Sequence, residues 1–357
     1  MKKLLLIVLL SGMTGMLYSQ NSFKESLKNY DDICYCDVGL KHPKIILDMD
    51  NNLEILFGLK NGRTLKELER FGVKYNQSQI SLLLASGLIE VKDSVFYATV
   101  PILSKDETIV LRTQTKEIAG DIVRSIQKEY ELFMQTLKTK GLQKNSYSLF
   151  FALVLDRIVW DILEQDGVIK ELTITKEKPF WDGLMWMIEP KRKFFCGTNS
   201  ITSGNVSISE NWSENAGVTV TSYKTLRIML NDYKENGRVT NPVVFKTFEG
   251  NELFDKTGNL QIPIIKADST DVIYSQSMNI ASIIVKYLNN NIDYSKLLAN
   301  YPNLAKGHAI TILYHEIMWD ILDIMESAGQ IKKPVAFGKP DEAKPMDLKD
   351  LMFILKN

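Results

Sequence analysis

Hydrophobic residues recur along this chain with two different periods, and the change between them outlines its first predicted elements. Apolar residues at helical spacing predict a short helix over residues 53–59. A Thr-X-X-Glu capping box begins a second helix over residues 64–72, and a third runs over 76–87 to a terminal glycine. Two short runs rich in apolar residues, 88–91 and 95–100, stand on either side of a polar turn, which predicts a β-hairpin.

This order of three short helices and a hairpin resembles a winged helix-turn-helix module, a fold of many bacterial transcription regulators. The resemblance covers residues 44–103 and implies that fold there. A helix that reads DNA presents Arg, Lys, Asn or Gln to the bases and phosphates. Residues 76–86 contain Asn76, Gln77 and Gln79 but no basic residue. We therefore do not expect nucleic acid as a partner, and a protein-contact role fits the module better.

After the hairpin, longer apolar faces predict long helices that alternate with short strands and loops. The segments expected in this part are helices over 110–137 and 148–163, a strand over 168–175, an apolar cluster over 180–187, a loop or exposed hairpin over 197–217, a helix over 223–233, strands over 245–254 and 260–265, helices over 278–288 and 304–327, and a last short helix capped by Asp347.

Two stretches of the chain repeat one another. Trp160-Asp161-Ile162-Leu163 returns as Trp319-Asp320-Ile321-Leu322, 159 residues later, and residues 100–122 match residues 262–284 at a spacing of 162. The repeat predicts an internal duplication. The expected fold is α+β, with each half a small helix and β-hairpin (winged-helix-like) unit followed by long amphipathic helices.

The predicted organisation begins with a leader. Residues 1–19 have the short basic start, the apolar core and the small residues before the cut that are typical of a secretory signal peptide, with cleavage after Ser19 or Gln20. Further segments follow, namely a polar lead-in over 20–43, a first repeat domain over 44–175, a second over 176–333 with an inserted loop over 197–217, and a tail over 334–357. The apolar run of the leader is too short to span a membrane. We expect a periplasmic, cell-surface or extracellular location.

Composition narrows the choice of partner. The 43 basic and 43 acidic residues balance, so charge offers no reason to bind nucleic acid or anionic lipid. A hydrophobic fraction of 45% is typical of a globular protein.

Cys34, Cys36 and Cys196 are the only cysteines. A disulfide from Cys34 or Cys36 to Cys196 would leave one thiol, and three buried thiols are the alternative. A Cys34–Cys36 bond would be strained, and no nearby His or Cys is expected to complete a metal site there. No metal and no cofactor are predicted.

Four aromatic residues are candidates for a ligand or partner contact: Trp181, Trp186, Trp212 and Tyr223. Core packing explains Trp181 and Trp186 equally well, whereas Trp212 stands in a polar segment, where an aromatic side chain often marks a contact surface.

The repeated residues Trp160, Asp161, Trp319 and Asp320 are interpreted as structural, with each Asp in a cap or an ion pair. His308 and His315 are expected to be partly exposed on an amphipathic helix. His315-Glu316 lacks the second histidine of the zinc-peptidase helix, since Trp319 stands in its place.

Together these patterns favour an exported, non-catalytic binding protein whose partner is an envelope protein or a surface polymer. The alternative is an envelope hydrolase that uses Asp156, Asp161, Asp320 or a histidine on the repeated helices. A hydrolase should gather titratable residues in one cleft, whereas a binding module should expose aromatic residues among scattered charges.

Overall fold

The computed structural model describes residues 27–194, 196–213, 223–248, 253–292, 294, 304–334, 337 and 350–356. The fold is mixed α and β, as predicted, with long helices and small sheets. The chain divides into two compact units. The first comprises the described residues of Met1–Thr113, Lys170–Arg192 and Tyr294–Ile312, and the second those of Gln114–Ile169, Lys193–Asp293 and Leu313–Asn357. The predicted leader lies outside the described residues.

The first unit combines short helices with short strands. Its elements are β1 (Asp31–Val38), α1 (Pro43–Leu47), α2 (Asn52–Gly58), α3 (Leu65–Arg70), α4 (Gln77–Ala85), β2 (Ile89–Lys92), β3 (Val95–Ala98), β4 (Ile102–Leu103) and β5 (Trp181–Ile188). Strand β5 is central in a sheet of order β1-β5-β4, antiparallel to β1 and parallel to β4. Strands β2 and β3 form the predicted hairpin.

Local capping fixes the starts of α3 and α4. Thr64 accepts from the Glu67 amide while Glu67 accepts from the Thr64 amide, which is the predicted capping box. Asn76 and Gln79 form the same reciprocal pair at α4. The predicted helices and hairpin of residues 53–100 are thus confirmed as elements, while the winged-helix resemblance stays a prediction.

The core of the first unit joins the helices to the sheet. Residues of α1 to α4 pack with Met185 and Met187, which project from β5. Trp181, Phe180 and Cys34 are partly buried against the same cluster. Burying this apolar surface stabilises the unit and fixes the position of β5.

The second unit is built on long helices and a four-stranded sheet. It contains α5 (Lys105–Thr139) from Gln114 onward, a 3₁₀ turn (Gln143–Asn145), a helical segment here called α6 (Ser146–Ser148, π-helical Leu149–Ile158 and Val159–Gln165), β6 (Cys196–Ser203), β7 (Val206–Ser213), α7 (Tyr223–Asn236), α8 (Pro242–Thr247), β8 (Ile264–Lys266), α9 (Val272–Asn291), α10 (Lys306–Ser327) from Leu313 onward and β9 (Asp350–Leu355).

The C-terminal segment is a strand and not the short helix predicted for it. Strand β9 lies between β7 and β8 in a sheet of order β6-β7-β9-β8. Its residues Leu351 to Ile354 are all buried, so the strand is covered on both faces. A strand that is covered on both faces is apolar at successive positions, and this explains the unbroken apolar run. Asp347, the predicted cap, lies outside the described residues.

Three other local predictions are corrected. The lead-in segment is not irregular, since it contains β1; residues 168–175 form no strand; and the segment predicted as a strand from residue 245 begins with helix α8. Residues 197–213 form the β6-β7 hairpin, which is one of the two alternatives predicted for this stretch, but β7 is buried rather than exposed. The predicted apolar cluster at 180–187 is strand β5, whose central position explains its nearly continuous apolar sequence.

The two Trp-Asp helices, α6 and α10, contact each other inside the second unit. The Tyr314 hydroxyl donates to the carbonyl of Leu155 at 2.7 Å, and the rings of Trp160 and Tyr314 pack edge to face at 4.7 Å. Thr115 on α5 donates to Asp320 on α10. The internal duplication is not confirmed by these contacts and stays a prediction. Within the described residues, no helix combines the length and the apolar character needed to cross a lipid bilayer.

Candidate functional site

A cleft of about 970 Å³ opens in the first unit. Its walls are the C-terminal end of α4, the β2-β3 hairpin with the residues after it, and strand β5 with the residues before it. The hydrophobic core that joins α1–α4 to β5 holds these elements in place, so the walls of the cleft are parts of a packed structure.

Three aromatic side chains line the cleft. Trp181 donates its indole Nε1–H to the carbonyl of Ser86 at 2.8 Å, which fixes the ring between β5 and α4. Tyr97 lies against Gly62, where a Cβ atom would be only 2.3 Å from the ring. Phe180 precedes Trp181 in the wall. Of the four aromatic residues predicted to contact a ligand, Trp181 is the one that lines this cleft.

Three acidic residues of the cleft, Asp182, Glu107 and Glu90, have structural partners. Lys178 donates to Asp182 at 2.7 Å, and the Thr173 amide donates to the same carboxylate at 3.1 Å. Burial raises the pKa of Asp182, but these bonds outweigh it, and the net pKa is lowered. Glu107 accepts from the amide and the hydroxyl of Ser104 at the start of α5, and Lys92 donates to Glu90.

His308, a residue of α10, also lines the cleft. Partial burial and the nearby positive charge of Lys178 lower the pKa of His308. The ring is therefore neutral at pH 7 and offers one donor and one acceptor.

A second cluster of reactive groups in the first unit consists of Cys34, Cys36 and His42. The two cysteines are two residues apart on β1, so their side chains leave the same face of the strand. One ligand atom from each of the three residues lies within 4.8 Å of the others, and Cys36 Sγ is 3.8 Å from His42 Nε2. From the sequence, no nearby His or Cys is expected to complete a metal site with the two cysteines. His42 lies beside both, which gives a cluster of three residues.

His42 is oriented by its place before a proline. It is the N-cap of α1, and Pro43 holds the backbone of His42 extended. The Lys44 amide donates to His42 Nδ1 at 3.2 Å, which leaves Nε2 directed at Cys36. In a neutral ring with this contact, the proton resides on Nε2.

The two thiols have opposite acidities. The hydrogen bond from Cys34 lowers the pKa of Cys36, burial raises it, and the His42 ring lowers it, so that the net pKa is about 6. The hydrogen bond with Cys36, together with burial, raises the pKa of Cys34. Cys36 is thus the thiolate of the pair at neutral pH.

The other predicted contact residues occupy different settings. Trp186 is fully buried in the sheet of the first unit, so its prediction as a ligand contact is wrong. Trp212 is half-buried on β7 in the second unit, where its ring covers Gly197 of β6. Tyr223 begins helix α7, and its side chain lies outside the described residues.

The repeated Trp-Asp residues serve packing and pairing. Trp160 donates to Asp156 at 3.2 Å, and Trp319 donates to the carbonyl of Cys196 at 3.1 Å. Asp161 is exposed, and Arg157 of the same helix is 4.0 Å away, whereas the prediction placed the basic partner on a neighbouring element. Asp320 is instead buried and accepts from Thr115 at 2.7 Å.

His315 and the third cysteine are buried in the second unit. His315 is 8% exposed and lies against Trp319, with ring centroids 4.8 Å apart, so the prediction that it is partly exposed is wrong. Cys196 is a buried thiol within 3.6 Å of the Tyr147 hydroxyl. Cys34, Cys36 and Cys196 are all free thiols, but of the three thiols predicted to be buried only Cys196 is, since Cys34 and Cys36 are partly exposed.

Comparisons of the chain with family models, with curated proteins and with solved structures find no match.

Proposed function

We propose that this chain is an exported, non-catalytic binding protein of the cell envelope, and that the cleft of its first unit holds an extended segment of a partner protein. The observation that carries this proposal is the cleft of about 970 Å³, whose lining combines aromatic rings with charges of both signs. Such a lining suits a polypeptide, whose side chains and backbone need apolar, ionic and hydrogen-bonding contacts.

The pKa of Asp182 and the partners of Glu107 and Glu90 support binding over catalysis. A general acid at neutral pH needs a raised pKa, whereas the pKa of Asp182 is lowered by its bonds to Lys178 and Thr173. Glu107 is held in a helix cap and Glu90 in an ion pair. On the repeated helices, Asp161 is exposed and ion-paired, and Asp320 is buried and accepts from Thr115. Asp156 has a raised pKa of about 7, but its carboxylate accepts a hydrogen bond from Trp160 of the same helix.

The hairpin supports a polypeptide ligand in particular. In the described part of the chain, β2 pairs with β3 on one side and has no strand on the other. Such an edge can accept backbone hydrogen bonds from an added strand. Glu90 and Lys92 project from β2 into the cleft, and Lys60 and Lys178 also line it, so the side chains of an added segment would meet both charge signs.

The location forms part of the proposal. The leader over residues 1–19 directs export, and N-terminal sequencing of the protein recovered from cells should begin after Ser19 or Gln20. An intact Met1 would contradict the location.

The partner is tested by affinity capture of the exported chain from its own envelope, followed by mass spectrometry. We expect a recurrent protein partner, and loss of that partner when Lys60 and Lys92, both exposed at the cleft, are replaced together by Glu. The matched control replaces Lys66 and Lys74, which are exposed in the same unit and do not line the cleft.

Both double variants change the charge equally, so a general electrostatic effect would weaken capture in both. Capture that is unchanged in Lys60→Glu/Lys92→Glu would contradict the proposed site. Retention of polysaccharide in place of protein would contradict the polypeptide ligand.

A further inference from the structure

The Cys34, Cys36 and His42 cluster has the dimensions of a metal site. Zn²⁺ binds thiolate sulfur at about 2.3 Å and imidazole nitrogen at about 2.0–2.1 Å. Two such ligands on one ion, at tetrahedral to trigonal angles, are therefore about 3.6–3.8 Å apart. The distance between Cys36 Sγ and His42 Nε2 is 3.8 Å, and the Cys34 sulfur lies within 4.8 Å of both atoms.

We propose that Cys34, Cys36 and His42 bind one Zn²⁺ ion. Two thiolates and one imidazole are a ligand set that zinc accepts, and three protein ligands leave a fourth position for water or for another ligand. The three residues are partly accessible, so an ion can reach them.

The backbone around the cluster brings the ligands together without a disulfide. Residues two apart on a strand have Cα atoms roughly 6.5 Å apart, near the upper limit for a disulfide. Gly183 of β5 is paired with Cys36, and a Cβ atom there would be 2.7 Å from Cys36 Cα and 2.2 Å from the Tyr35 carbonyl oxygen. Glycine at this position therefore permits the close approach of the two strands beside the cluster.

Binding releases the protons that the ligands still carry. Zn²⁺ takes both sulfurs as thiolates, so any proton on Cys34 or Cys36 is released to solvent. The imidazole binds through Nε2, the ring nitrogen that lies 3.8 Å from Cys36 Sγ. A neutral ring that binds through Nε2 carries its proton on Nδ1, so the contact of Nδ1 with the Lys44 amide opens.

This inference is independent of the cleft function and is tested with Zn²⁺ and Co²⁺ alone. The purified full chain, kept reduced and freed of metal, is titrated with Zn²⁺ against a chromophoric chelator, and Co²⁺ binding is followed by absorbance. We expect one Zn²⁺ per chain and a thiolate-to-cobalt absorption band. Cys34→Ser, Cys36→Ser and His42→Ala should each weaken binding by at least about 10- to 100-fold, which is the loss that follows removal of a group that only orients a ligand.

Cys196→Ser is the matched control, since it removes the third cysteine and leaves the cluster intact. It should bind Zn²⁺ as the wild type does. Circular dichroism of each variant separates loss of metal from loss of folding. Folded wild-type protein that binds no Zn²⁺, or Cys36→Ser or His42→Ala protein that binds as tightly as the wild type, would overturn the proposal.

Discussion

The Tyr314 hydroxyl donates a 2.7 Å hydrogen bond to the carbonyl of Leu155, and these two residues are 159 positions apart. The same spacing separates Trp160 from Trp319 and Asp161 from Asp320. Matching positions of the two Trp-Asp helices therefore touch, which is the contact that two duplicated helices make when a local twofold axis relates them. The duplication itself remains a prediction that this contact supports.

Removal of the Tyr314 hydroxyl should destabilise the second unit. Both partners of the bond are buried, so Tyr314→Phe leaves the Leu155 carbonyl without this donor, at a cost of about 1–3 kcal/mol in the free energy of unfolding. Urea unfolding measures the change. Tyr233→Phe, which removes the same atom from helix α7, is the control and should change stability by less than about 0.5 kcal/mol. Equal stability of Tyr314→Phe and the wild type would contradict a structural role for the bond.

The two aspartates of the repeat should differ in their effect on stability. Asp320 is buried and accepts from Thr115, so Asp320→Asn should lower the free energy of unfolding by about 1–3 kcal/mol. Asp161 is 53% exposed and 4.0 Å from Arg157, so Asp161→Asn should cost less than about 1 kcal/mol. Chemical unfolding of the pair checks this order. A larger loss of unfolding free energy in Asp161→Asn than in Asp320→Asn would contradict this prediction.

Asp156 should make the protein more stable at acidic pH. Burial raises its pKa, the hydrogen bonds of Thr198 and Trp160 lower it, and the net pKa is about 7 instead of 3.8. The folded chain therefore keeps a proton that the unfolded chain loses, and the free energy of unfolding falls as pH rises from about 4 to 7. Asp156→Asn should flatten this dependence.

The same variant should gain about 2 kcal/mol at pH 8, a value discounted because Asp156 is only half-buried. Urea unfolding at several pH values measures both effects. A slope in Asp156→Asn as steep as that of the wild type would assign the pH dependence to other groups.

Gly197 should be intolerant of a side chain. A Cβ atom at this position would lie 2.4 Å from the Trp212 ring, so Gly197→Ala should displace the ring and cost about 1–3 kcal/mol. Thermal unfolding and tryptophan fluorescence report the two effects. Gly120→Ala on α5 is the control, because its nearest neighbour is a flexible Arg124 atom at 3.6 Å, and it should be neutral or slightly stabilising. Loss of stability in the control alone would contradict this packing.

Sequence patterns predicted the elements that local chemistry determines. The Thr64 and Glu67 cap, the α4 helix and the β2-β3 hairpin each depend on neighbouring residues, and each is present. The sequence did not predict β5 and β9 as strands, because both are central in their sheets. Their apolar residues follow one another without alternation, and a short run of this kind also fits a helix or a cluster.

The thiol cluster was missed because β1 was not predicted. Cys34 and Cys36 point the same way only when residues 31–38 are extended, and His42 reaches them only through the turn before Pro43. The Cys-X-Cys spacing and a His-Pro pair six residues later were the available signals. The cleft could not be predicted either, since Trp181 and Tyr97 line it from strands 84 residues apart in sequence.

Photo-crosslinking from the cleft tests the proposed function most directly. A photoreactive amino acid replaces Lys92 at the cleft, and the exposed Lys128 on α5 is replaced as the control. Irradiation of cells that export these variants should join one partner protein to position 92 and not to position 128. The same product from both positions, or no protein product at position 92 from a folded and exported chain, would contradict a partner-binding cleft.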